Sequence, residues 1–226
     1  MNSNLLYEAF REDIVDTAKP YLWSDDEVFR YMDAAYRMFV RLTVGISDFT
    51  SPITQVQIVA GEALADIDSS ILRIMSANKE SDESDLTIIN MVEDATTESA
   101  DYFQIRRSIR STQTGAVTKM IVGAEKNKVR WVNVPEVDDV VNLHVYRLPL
   151  THIVDEDHTL SDVDEGHHIY LLDWMKHLAY KKQDAETFDR GKSDEFEGTF
   201  RAYCAQVKAE WERYKHKTRV VQYGGI

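Results

Sequence analysis

Cysteine is almost missing from this chain. Its 226 residues include one, Cys204, so no internal disulfide can form, and a reducing compartment suits it. Basic charge is also short: 26 Lys and Arg against 39 Asp and Glu give a formal net charge of −13. A protein that wraps nucleic acid needs clustered Lys and Arg to neutralise phosphates, which argues against that class; an acidic surface that DNA slides past remains open. Long apolar runs are lacking too. "MFVRLTVGI" is broken by Arg41 and falls well below the ~20 residues of a membrane span. The first residues carry Glu8, Glu12 and Asp13 where a secretory leader needs an apolar stretch, which predicts a soluble protein without such a leader. The sequence holds no glycine-rich phosphate loop, no G-x-S-x-G elbow and no internal repeat. Its length suits one large domain, or one domain with an elaborated insertion.

What is present is helical periodicity at both ends and strand periodicity between. Leu6, Phe10, Ile14 and Thr17 recur behind Ser3 and predict a helix over about 3–17, stopping before Pro20. Ser24 and Glu27 form a capping box for a second, longer helix, with Leu22 or Trp23 as a staple. Val28, Tyr31, Met32, Ala35, Phe39 and Leu42 make its apolar stripe. From about 54 to 150 the period drops to two. "TQVQIVA" sets Val56 and Ile58 against Gln55 and Gln57, and "VVNLHVYRL" puts Val141, Leu143 and Val145 on one face. "SSILRIMSA", "LTIINM", "AVTKMIVG" and "KVRWVNV" also read as strands, with "GAEKNK" as a turn. A short helix or loop is expected near 92–103, and "NKESDESD" reads as a solvated loop. "SDVDEGHHIYLLDWMKHLAYKKQD" predicts one helix capped by Ser161, and Gly191 a loop after it. The last helix, "SDEFEGTFRAYCAQVKAEWERYKHK", carries the stripe Phe196, Phe200, Tyr203, Val207, Trp211 and Tyr214.

The expected fold class is α+β. A helical bundle of two N-terminal and two C-terminal long helices carries a β-rich insertion and an extended C-terminal tail. The expected boundaries are 1–50 for the N-terminal helices, 51–152 for the insertion, 153–217 for the C-terminal helices and 218–226 for the tail.

Candidate chemistry is sparse. Adjacent His167 and His168 diverge by about 100° on a helix, so polar histidines at the surface or in the first turn fit better than metal ligands. Asp184, Glu186 and Asp189 lack the glycine and closing Glu of a calcium loop and read as caps and surface charge. Cys204, inside a helical pattern, reads as a small half-buried side chain. Neither a metal, a catalytic residue nor a cofactor is predicted. Arg106, Arg107 and Arg110 form the densest basic cluster before the tail, and suit a subunit-interface salt bridge better than a phosphate contact. From Lys208 onward five basic residues face two acidic ones, opposite in sign to the rest of the chain. The segment Arg219, Val220, Val221, Gln222, Tyr223, Gly224, Gly225 and Ile226 is then basic, β-branched and aromatic before its two glycines. An ordinary frayed terminus is one reading; an arm that adds to a partner's sheet or lies in its groove is the other. Ordering such an arm costs ~1–2 kcal/mol per residue. Its four apolar side chains return ~1.5–3 kcal/mol each on burial. Near balance alone, it needs backbone hydrogen bonds and multivalency.

"FREDIVDTAKPYLWSDDEVFRYMDAAYRM", "VAGEALADIDSSILRIMSA", "LTIINMVED", "VRWVNVP", "LHVYRLPL", "HHIYLLDWMKHLAYKKQDAETFD" and "RVVQYGGI" follow in order along nearly the whole chain. Together they resemble the tailed-bacteriophage head-to-tail adaptor (connector) proteins. "DTAKPYLWSDDEV" and "AYKKQDAETFD" are the most specific pieces. The resemblance implies a non-enzymatic structural ring, usually of twelve copies, in the neck of the virion beneath the portal protein. The tail segment would bind the portal, the β-rich part would seat downstream tail or nozzle proteins, and DNA would pass without specific binding. No membrane is involved, and before assembly the protein would reside in the host cytoplasm. Another tail or baseplate structural protein is the alternative; a metal-dependent hydrolase using His167 or His168 is a remoter one.

Overall fold

The computed structural model describes residues 2–91, 112–184 and 186–215. The chain divides into two compact units, one of Met1–Gly45 with Pro149–Ile226 and one of Ile46–Leu148. The fold is α+β.

The first unit is helical. Helix α1 covers Ser3–Asp13, α2 Asp25–Leu42, α3 Glu165–His168, α4 Leu171–Lys181 and α5 Arg190–Lys215. Asn2, not Ser3, caps α1, its side chain accepting from the Leu5 N–H at 3.1 Å. The helix stops four residues before the expected end because the chain turns back on itself. Val15 N–H donates to Glu12 O and Asp16 N–H to Arg11 O, with Val15 at φ +59°. This is the glycine-type C-terminal closure built on a β-branched residue, a strained choice costing ~1–2 kcal/mol. The Ser24–Glu27 capping box is present as expected, and of the two staple candidates Trp23 is buried while Leu22 is exposed. Phe29, Tyr36 and Val40 join the buried face of α2; Tyr31 and Leu42 are only partly buried.

The helix expected after Ser161 is in two pieces. Tyr170, Leu172 and Asp173 N–H groups each donate three residues back, at 3.2–3.3 Å, so a tighter turn separates α3 from α4. Asp164 rather than Ser161 precedes α3. The last helix starts early. Asp189 caps it through bonds from Lys192 N–H at 3.1 Å and Ser193 N–H at 3.0 Å, which places Gly191 inside the first turn instead of in a loop. Leu6, Phe10, Met32, Tyr36, Met175 and Phe200 sit at the centre of the core.

The second unit contains eight strands among the described residues: β1 Ile46–Asp48, β2 Gln55–Ile58, β3 Leu64–Asp66, β4 Ile71–Lys79, β5 Thr87–Asn90, β6 Lys119–Glu125, β7 Lys128–Trp131 and β8 Asp139–Arg147. They form two four-stranded sheets. In one, β8 pairs antiparallel with β1 and β2 on one side and with β4 on the other. In the other the order is β3-β7-β6-β5, with β5 and β6 parallel. Val56, Ile58, Val141, Leu143 and Val145 face the core as their alternation predicts, meeting Met120, Val129 and Trp131. β1 and β3 carry three residues each, too few for a period to show in the sequence.

Candidate functional site

The residues singled out by the sequence, Arg219–Ile226 and Arg106, Arg107 and Arg110, lie outside the described residues. The described part that leads to the former is α5. Its inward positions Ser193, Phe200, Cys204 and Val207 are buried, while Phe196 and Tyr203 are half-buried. Every residue from 208 to 213 is exposed, including Trp211 at 46%. The expectation that Trp211 belongs to the core stripe is therefore wrong. The reason is length. At ~1.5 Å per residue, α5 runs about 39 Å and its neighbour α4 about 16 Å. The apolar stripe continues past the last residue that the rest of the unit covers, Val207.

The root of α5 is held by the two segments that the sequence marks as most specific, and the structure brings them together. Within "DTAKPYLWSDDEV", the buried Asp16 carboxylate accepts from Leu22 N–H at 2.9 Å and Trp23 N–H at 3.3 Å, and pairs with buried Arg11. Arg11 also donates to Trp23 O and to Asp25 Oδ1, each at 2.7 Å, and lies over the Tyr21 ring at 4.0 Å. Tyr7 donates to Asp25. Burial, and then that bond, push the Tyr7 phenol up to about 12. Trp23, so positioned, donates from Nε1 to Ala179 O at 3.2 Å, the first residue of "AYKKQDAETFD". Its ring meets Tyr180 edge-on at 6.2 Å, and Tyr180 stacks on Phe196 of α5 at 6.0 Å. Lys182 closes the contact by pairing with Glu27 at 2.9 Å. Burial disfavours the Glu27 charge, but the bonds from Lys182 and Ser24 outweigh it and hold the carboxyl below its usual range. Asp189, at the end of the second segment, caps α5. These motifs are a keystone that sets where the last helix begins, and thereby where it leaves the core.

The histidine pair is engaged internally. His167 Nδ1 is 2.8 Å from Tyr203 Oη, and its ring lies against Phe39. His168 is buried rather than at the surface, its Nε2 donating to Val163 O at 2.9 Å; burial holds its pKa below the usual value. Cys204 is fully buried, and burial pushes its thiol up to about 11. Among the described residues no three His, Cys, Asp or Glu side chains converge as a metal site requires. A second polar hub, in the β unit, escaped sequence reading. Asp48 accepts from Arg147, Ser51 Oγ and the backbone of Thr50 and Ser51. Arg11, Asp16, Asp48 and Arg147 look like ordinary surface charges in sequence; only the packed fold buries them.

The helical unit is closed by segments from both ends of the chain, with a β unit between them in sequence, and comparison with family models places the chain in a phage head-to-tail adaptor class. The model described as SU10 adaptor protein matches residues 1–221. The chain belongs to the SU10 adaptor protein family. No curated protein matches it.

Proposed function

We propose that this chain is the head-to-tail adaptor whose copies form a ring beneath the portal, extend the DNA channel and provide the attachment site for tail components. The bundle made by helices from both chain ends builds the ring, with a copy number of twelve. Arg219, Val220, Val221, Gln222, Tyr223, Gly224, Gly225 and Ile226 are the portal-docking arm. Arg106, Arg107 and Arg110 pair with acidic groups across the subunit interface. The protein works in the virion neck, as structure and not as catalyst. An acidic balance of −13 suits a conduit that must not grip phosphate.

The observation that carries this reading is the run-out of α5. The helix is rooted by a polar and aromatic keystone and runs on past Val207, its last buried residue, with 208–213 all exposed. A helix that only completed a core would have no reason to continue two further turns in solvent, since exposed helix ends contribute little stability. Repetition around a ring supplies the avidity that a weakly binding arm needs. The test is deletion of 219–226. The shortened chain is expected to keep its circular dichroism and melting temperature yet fail to join purified portal. Normal docking by the shortened chain would refute the assignment of the arm.

A further inference from the structure

We propose that His168 is a proton-sensitive catch. While its ring is neutral it holds the connection 154–164 onto the helical unit; protonation releases that connection and leaves α4 and α5 folded. The device belongs to the chain itself and needs no partner.

The ring sits where a second proton has no place. His168 ends α3 and is 2% exposed. Its Nε2–H donates to Val163 O at 2.9 Å, which fixes the tautomer and leaves Nδ1 as the bare nitrogen. Nδ1 is buried and makes no hydrogen bond among the described residues. A proton added there becomes a donor without an acceptor and brings a charge into the interior, and each is costly. Burial is the largest influence and keeps the ring neutral. The Val163 and Leu160 carbonyls, and Glu165 on the same helix, favour the charge and are outweighed. Among the described residues Glu165 is the titratable side chain that acts on the ring.

The bond from Nε2 reaches the segment to be released. Val163 belongs to the connection that runs into α3. That connection is also held by Ser3 N–H donating to His158 O at 3.0 Å, by a bridge between Thr159 and Asn2, and by Asp162 N–H donating to Tyr36 Oη at 3.1 Å. Leu160 is its buried apolar anchor. α3 has four residues, and a helix that short has little stability of its own. Segments of this kind open locally while the core of a unit stays closed. α4, by contrast, puts Leu171, Leu172 and Met175 into the core. The connection carries exposed Asp155, Glu156, Asp157, Asp162 and Asp164, so its release moves a block of negative charge off the bundle. The sign follows from the buried neutral ring. A histidine that binds protons less readily folded than unfolded gives full stability above the ordinary value, ~6.5, and loses it as pH falls below that.

Hydrogen exchange of the full chain at about pH 7 and about pH 5.5, read as protection relative to the free-peptide rate at each pH, tests the catch. Protection of the Ser3 and Asp162 amides is expected to fall ~4- to 8-fold, the effect of one proton over that range, while Met175 in α4 keeps its protection. No change at Ser3 and Asp162, or an equal fall at Met175, overturns the proposal. His168→Gln keeps a donor for Val163 O and takes no proton, so the fall is expected to vanish. A fall of full size in that variant assigns it to another group and overturns the proposal. Nitrogen NMR of the unaltered chain gives an answer that does not need the variant to fold. His168 is expected to hold its Nε2–H tautomer and to titrate below ~6.5, and titration at or above that value overturns the proposal.

Discussion

Replacing Asp16 with alanine tests whether the keystone holds the helical unit. The Asp16 and Arg11 side chains are 3% and 5% exposed, so the pair is buried. Truncation leaves Arg11 with Trp23 O and with Asp25, whose own side chain is 58% exposed and well screened, and it strips the acceptor from the Leu22 and Trp23 N–H groups. Breaking a buried pair from one side costs ~3–5 kcal/mol. For a chain of this size each kcal/mol lowers the melting temperature by ~2–4 °C, which gives a fall of about 6–20 °C. Urea unfolding followed by far-UV circular dichroism reports mainly the helices and is the appropriate assay. A second variant separates a lost pair from a generally damaged fold. Arg11→Met combined with Asp16→Ala removes both charges, and is expected to cost less than the sum of the single changes by ~0.5–3 kcal/mol. A loss under about 1 kcal/mol for Asp16→Ala, or strict additivity in the double variant, would refute the claim that this network holds the α1–α2 connection.

Two further outcomes follow from burial. Trp211→Ala is expected to change stability by less than ~0.5 kcal/mol, whereas Phe200→Ala, three turns earlier on the same helix, costs ~3–5 kcal/mol. Thermal melts of the two variants decide this, and equal losses would mean that α5 is covered along its whole length. The β unit should be acid-sensitive through Asp48. Burial alone would raise its carboxyl, but the bonds from Ser51, Arg147 and two backbone N–H groups outweigh that and hold it well below the usual carboxylate range. A depressed folded-state pKa contributes stability fully above the unfolded value near ~4, and loses it as pH falls further. Asp48→Asn should flatten the pH dependence of β-unit unfolding below that point; an unchanged acid slope would show that other groups set it.

Much of the fold was legible because its signals are local. The Ser24–Glu27 box involves residues three apart, and the alternation of Val141, Leu143 and Val145 needs only the strand period. Errors fell where a neighbour decided the outcome. Gly191 reads as a loop residue until Asp189 is seen to cap the helix. Ser161 has the chemistry of a cap, yet the turn that starts α3 is three residues further on. β1 and β3 exist because β8 and β7 offer edges to pair with, not because three residues declare a strand.

For the site, chain order alone set the charge reversal at Lys208, the apolar stripe of α5 and the two specific segments, since charge sign and helical spacing are properties of the string. The family was legible for the same reason. That "DTAKPYLWSDDEV" and "AYKKQDAETFD" touch, that Arg11 and Asp16 are buried, and that the stripe outlasts its cover at Val207 came only with the packed structure. Burial is a relation between distant parts of the chain. The extent of the helices packed on α5, not anything in α5, decides where Trp211 meets water.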